Sequence, residues 1–284
     1  MSLFLKNTIK TSIVNYIGIF IGFVSILFIQ TQVLSEDEIG IIRLLVDKAL
    51  LFVHFFMFGM QSVASRFYFH FEDNKRAYGS FLTLILGFPL VTIILGLIFS
   101  YLFQLNLQIM HFNYIAFILF FYIYIQIFES YLFTKQKIVF PSFLRNILFK
   151  LLFIFGLFLY YNNIINFEQL LLFYVGIYFI HFTILLLYFR KFLTFNFEFN
   201  IKDYNQPIFK EIATYSLFLI LGAGTVSLIS KIDTIMIENI TSNQSFVGIY
   251  AIAFAIANII EVVKTPVVKL SGPIISKKLK QNKL

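Results

Sequence analysis

Five polar residues share one face of an otherwise apolar stretch between Gly40 and Arg66: Arg43, Asp47, His54, Gln61 and Ser65. Their spacings are four, seven, seven and four, so at about 100° per residue they fall within a stripe roughly 40° wide on one helix. Leu45, Ala49, Phe52, Phe56 and Val63 take the opposite face. Ionisable groups in hydrocarbon cost about 2.5 kcal/mol or more each, so the stripe is expected to face water or protein and to line a cavity. Arg43 and Asp47 have a simpler use as a pair four residues apart, and that alternative stays open.

Other polar residues stand more alone. Gln126 and Glu129, three apart, are expected at a packing or interfacial position. Lys48 and Lys150 are expected to snorkel or to pair with an acid, and Lys231 and Asp233 to reach the interface from a helix end. His181 is expected to be a hydrogen-bonded structural residue. There is no cysteine, so thiolate metal sites and disulfides are excluded. The four histidines show no HExxH spacing, and no GxxxxGK[ST] phosphate loop exists. The acids are scattered rather than paired for general acid/base work. No catalytic residue, metal or cofactor is therefore expected, and the protein is not expected to be an enzyme.

The elements that must position these residues are membrane helices. Of 284 residues, 60% are hydrophobic and 13% charged, against about 25% charged in soluble domains. The predicted fold is all-α and polytopic, with about eight spans: 11–32, 40–66, 79–103, 113–134, 142–161, 167–188, 211–230 and 246–268. Gly18 and Gly22 on the first form a GxxxG pair, read as close packing before function. Pro89 invites a kink in the third. The loop 35–38 is acidic. The net charge of +8 sits mostly at the termini and in alternate loops, at Lys75, Arg76, Lys135, Lys137, Arg190, Lys191, Lys202, Lys210 and the tail lysines. That alternation puts both termini in the cytoplasm and argues for membrane topology, not nucleic-acid binding.

Tyr215-Ser216, the small residues through Gly224, Lys231-Ile-Asp233 and then Val247-Gly-Ile-Tyr250 resemble the start of the second lobe in Wzx-type polysaccharide flippases. Phe58-Gly59-Met60-Gln61 followed by Arg66 resembles the end of their second span. The resemblance covers essentially the whole chain. It implies two six-helix lobes around a central cavity, with residues 1–190 as the first lobe, 191–210 as a cytoplasmic linker, 211–270 as the first two helices of a second lobe, and 271–284 as a basic tail. Fewer spans are expected here than that family usually has. The resemblance also implies a multi-pass protein of the cytoplasmic membrane that moves a lipid-linked oligosaccharide on a polyprenyl pyrophosphate, among membrane lipids and polysaccharide assembly proteins. On that reading Arg43 and Lys231 suit the pyrophosphate, while Asp47, His54, Gln61 and Asp233 complete the cavity lining. The alternative within the same superfamily is a cation-coupled antiporter of small molecules, with Asp47, Glu129 or Asp233 carrying the ion. A third is a chain with only a structural or partner-binding role.

Overall fold

The computed structural model describes residues 3–102, 112–193 and 206–257, and every regular element among them is helical. In chain order, α1 is Leu3–Val24, running on through a π-helical turn (Ser25–Gln30) to Thr31–Val33. Next come α2 (Glu36–Met57), α3 (Met60–Arg66), α4 (Tyr68–Phe71), α5 (Lys75–Leu102) and α6 (Phe112–Thr134). Helix α7 runs Val139–Phe143, through a π turn Leu144–Leu148, to Phe149–Tyr161. It is followed by α8 (Phe167–Arg190), α9 (Gln206–Thr241) and α10 (Gln244–Ala257). Six of these, α1, α5, α6, α7, α8 and α9, are long and apolar enough to cross a membrane, and α10 is a shorter apolar helix. Helix α2 has spanning length, about 33 Å at 1.5 Å per residue, but carries the charges of the stripe. The chain is an all-α polytopic membrane bundle.

The predicted second span is not one helix. Phe58 (φ 51°) and Gly59 (φ 71°) both adopt the left-handed conformation and separate α2 from α3. Glycine takes that conformation freely, whereas Phe58 bears a cost of about 1–2 kcal/mol. Its ring packs on Phe88 at 5.1 Å, and Thr92 donates to the carbonyl of Phe56 (2.5 Å). The acidic residues 36–38 are likewise no loop. They form the first turn of α2 under a capping box, with Ser35 N–H donating to Glu38 (2.8 Å) and Glu38 N–H to Ser35 Oγ (3.3 Å), where their charge suits the helix dipole. Helix α9 extends well past residue 230, so Lys231 and Asp233 lie inside it rather than at its end. Pro89 sits within a continuous α5, and the carbonyl of Leu86, one turn earlier, accepts from the Tyr124 hydroxyl at 2.9 Å. Most of the predicted linker, and the predicted eighth span beyond residue 257 with the basic tail, lie outside the described residues.

Helix α6 is the axis of the packing. In its most apolar stretch 61% is buried, against 44% at most in the other five long helices. It meets α2, α3, α5 and α8. Phenylalanines fill these seams, as in the stacked pair Phe128–Phe189 at 4.5 Å. Helix α1 crosses α7 closely: a side chain at Gly18 would strike Asn146, and one at Gly22 would strike the Lys150 ammonium. Lys150 donates to the Gly18 carbonyl (2.6 Å) and Asn146 to Asn15 (2.8 Å). The GxxxG pair therefore serves close packing, and Lys150 is held by a carbonyl rather than by an acid. Helix α9 lies along α2.

Candidate functional site

The stripe divides into a closed half and an open half. In the closed half, Asp47 is 1% exposed and meets two cations. Arg43 Nε lies 2.5 Å from Oδ2 and the Lys231 ammonium, from α9, lies 2.9 Å from Oδ1. Arg43 and Asp47 thus do pair with each other, and the guanidinium also covers the Phe254 ring of α10 at 5.3 Å. Two cations and one acid leave a net positive charge. A carboxylate this buried costs several kcal/mol unless paired, and pairing on both oxygens is what allows it here.

The open half is a cleft of about 480 Å³ between α2–α3, α6 and α9. His54 and Gln61 line it from one side, Tyr122 and Gln126 from α6, and Ser227, Ser230 and Lys231 from α9. The helix break keeps His54 and Gln61 in the same cleft, and Ser130 on α6 donates to the Gln61 carbonyl, tying α3 to α6. Ser65, the last residue of the stripe, donates to the Ser62 carbonyl (3.0 Å) and is absent from the lining. Lys231 is the residue common to both halves, touching Asp47 and facing the cleft. Ser227, Ser230 and Tyr122 escaped sequence reasoning because each is a common helix residue with no spacing signal of its own.

The remaining candidates fall elsewhere. Asp233 is exposed and accepts from the Tyr250 hydroxyl at 2.9 Å. Lys48 reaches both oxygens of Glu238 (2.8 and 2.6 Å), so it is paired with an acid. Glu129 is 2% exposed and binds Arg145 of α7 at 2.6 Å through Oε2. His181 is buried, but its Nε2 has no hydrogen-bond partner, so it is not fully satisfied as a structural histidine would be. No three His, Asp or Glu side chains group as metal ligands among the described residues.

At the end of α2 bearing Glu36, α10 crosses so closely that a side chain at Gly40 would strike the Gln244 carbonyl and one at Gly248 the Glu36 carbonyl. Ser245 donates to Asp37 there at 2.7 Å. At the opposite, basic end, the α3–α9 contact is an ion pair of Arg66 with Glu211 (3.3 Å), both about half exposed, with the guanidinium 4.3 Å above the Tyr215 ring. An exposed pair of this kind contributes about 0–1 kcal/mol. The acidic end is therefore sealed by backbone contact and buried charge, and the basic end by a surface contact. Close to it, Lys135 and Glu72 flank the Tyr68 hydroxyl, which donates to Glu72 at 2.5 Å. Burial first, and then Glu72, push that hydroxyl well above the usual tyrosine range.

A helical bundle of membrane-crossing length, with a cleft lined by seven polar and five apolar side chains, defines a multi-pass membrane protein. The profile of the polysaccharide biosynthesis protein family matches residues 4–278, and the chain belongs to that family. No curated protein and no solved structure matches it.

Proposed function

We propose that the chain translocates a lipid-linked oligosaccharide across the cytoplasmic membrane for surface polysaccharide assembly, as a transporter rather than an enzyme. The observation that carries this reading is the cleft, where polar side chains interleave with apolar ones and Lys231 adds a cation, in a chain of a polysaccharide biosynthesis family. Its volume lies within the range of about 300–1,000 Å³ usual for small-ligand sites, which suits a pyrophosphate and the sugar next to it. Lys231 supplies a charge-assisted bond to phosphate. His54, Gln61, Gln126, Ser227 and Ser230 offer donors and acceptors to hydroxyls. Arg43 acts behind Asp47, holding the acid so that Lys231 keeps a share of its charge for the cargo. With the basic loops in the cytoplasm, the cleft loads from the inside while the α2–α10 crossing closes the outside.

The test is complementation of a strain lacking its own translocase, reading surface polysaccharide at matched protein levels. Lys231→Ala is expected to lower it at least tenfold, and Lys231→Arg to retain most of it. A loss of tenfold corresponds to about 1.4 kcal/mol, just under the lower end of the range of about 1.5–3 kcal/mol for a hydrogen bond to a charged group. Wild-type polysaccharide with Lys231→Ala would overturn the assignment.

A further inference from the structure

A second cavity lies at the basic end of the bundle. It is a groove of about 500 Å³ along the first turns of α9, bounded on its other side by Arg66 at the end of α3. It shares no lining residue with the cargo cleft. In this part of α9, Ile208, Ile212 and Ser216 are spaced by four and buried, whereas Pro207, Lys210, Glu211, Thr214 and Phe218 are exposed. Spacings of three, one, three and four keep those five on one side of the helix, away from the buried seam.

The groove changes character along its length. Charge stands at its start, where Lys210 and Glu211 share the lining with Arg66. The Tyr215 ring follows, 4.3 Å below the guanidinium. Beyond it come Phe218, 68% exposed, and Leu221, 61% exposed, one turn further on. Charge, then an aromatic ring, then aliphatic surface is the order in which a membrane presents itself from headgroup to hydrocarbon. Helix α9 is long enough to follow that order. Its 35 residues from Pro207 to Thr241 extend about 52 Å, against about 30 Å of hydrocarbon, so its first turns reach the headgroup layer.

The charges set the headgroup. Arg66 gives one nitrogen, Nη2, to one oxygen, Oε1, of Glu211 at 3.3 Å. Both side chains stay about half exposed, so each keeps room for a second partner of opposite sign. Lys210 is exposed and meets no acid among the described residues. Two cations suit a phosphate. The acid beside them repels a plain anion and suits a headgroup that also carries a cation. Thr214, one turn after Glu211 in the same lining, adds a hydroxyl acceptor.

We propose that this groove binds a phospholipid whose headgroup carries a primary ammonium, of the phosphoethanolamine type. The phosphate lies between Arg66 and Lys210, the ammonium reaches the second oxygen of Glu211 and the Thr214 hydroxyl, and an acyl chain follows Phe218 and Leu221. A quaternary ammonium has no N–H to donate to Glu211, and a headgroup bearing hydroxyls alone brings no positive charge to it. The bound lipid bridges α3 and α9 at the end where an exposed ion pair joins them. This site does not depend on what the cleft carries.

The experiment is native mass spectrometry of the purified full-length chain in detergent, with dioleoyl phosphatidylethanolamine, phosphatidylcholine or phosphatidylglycerol added one at a time. Phosphatidylethanolamine is expected to bind about fivefold tighter than phosphatidylcholine, the upper worth of one exposed charge pair. Glu211→Gln should cancel that preference and strengthen phosphatidylglycerol binding. The double variant Arg66→Gln/Lys210→Gln should weaken all three. If the variants do not fold, stepwise N-methylation of the added phosphatidylethanolamine tests the wild-type chain alone, and binding should fall at the methyl group that removes the last N–H. No preference for phosphatidylethanolamine over phosphatidylcholine, or a preference that survives Glu211→Gln, would overturn the site. No cargo enters the measurement, so a failed complementation assay leaves this result standing, and the reverse holds too.

Discussion

At the scale of single residues, Asp47 decides most. Its two oxygens are taken by cations from two helices, one near in sequence and one far away. Removing one cation leaves the other, so Arg43→Ala and Lys231→Ala should each cost little stability. Removing the acid leaves two neighbouring cations unpaired. Asp47→Asn should therefore destabilise the purified protein by about 3–5 kcal/mol, the range for breaking a buried pair from one side. The double variant Arg43→Ala/Lys231→Ala should cost clearly more than the sum of the two single changes, because they share a partner. Thermal and denaturant unfolding in detergent reads all four variants. Additive losses, or an Asp47→Asn as stable as the wild type, would show that the carboxylate is hydrated rather than held. The Arg43–Asp47 pair was legible from a spacing of four. Lys231 as the second partner was not, since nothing local links residue 231 to residue 47.

At the scale of elements, the crossing of α2 and α10 is the seam most sensitive to a side chain. Gly40 and Gly248 each meet backbone atoms of the other helix, which cannot yield as a flexible side chain would. Gly248→Leu should lower stability by about 1–3 kcal/mol through overpacking. Gly222, with nothing within 4 Å of an added Cβ, should accept alanine with no loss or a gain of a few tenths of a kcal/mol. Equal melting temperatures for Gly248→Leu and Gly222→Ala would refute the crossing. The helices themselves were largely legible: the starts and ends of α6, α7 and α8 fall within three residues of the apolar runs. The errors came where charge stood inside a helix. Lys231, Asp233 and Glu238 made the last third of α9 read as a loop, although neighbouring helices supply Asp47, Tyr250 and Lys48 to meet them. The break at Phe58–Gly59 was hidden for the opposite reason, because its polar residues keep helical phase across it.

At the scale of the whole molecule, the two ends of the α2–α9 seam differ in how they are held. We expect the acidic end to be the outer gate of the proposed transport cycle. The absence of native cysteine makes this directly testable by a pair placed at Asp37 and Ser245, whose side chains touch. Asp37→Cys/Ser245→Cys should cross-link readily in membranes, abolish surface polysaccharide while oxidised, and recover on reduction. Efficient cross-linking with full export would mean that this end never opens.

What the sequence determined by itself was the material: helices of membrane length, their approximate bounds, a polar stripe that had to avoid lipid, and motifs that pointed to a polysaccharide biosynthesis family. These follow from periodicity and hydropathy, which are local and survive in any arrangement of the helices. Only the tertiary structure decided which polar groups meet. It set Lys231 against Asp47, left His54 and Gln61 open to the cleft, bound Glu129 to Arg145 on one oxygen and left the other bare. Charge pairing between helices depends on distances of a few ångströms, and those distances are properties of the packed bundle, not of any single stretch of chain. The stripe that began as one face of one helix is, in the folded protein, a paired acid at one end and one wall of a cleft of about 480 Å³ at the other.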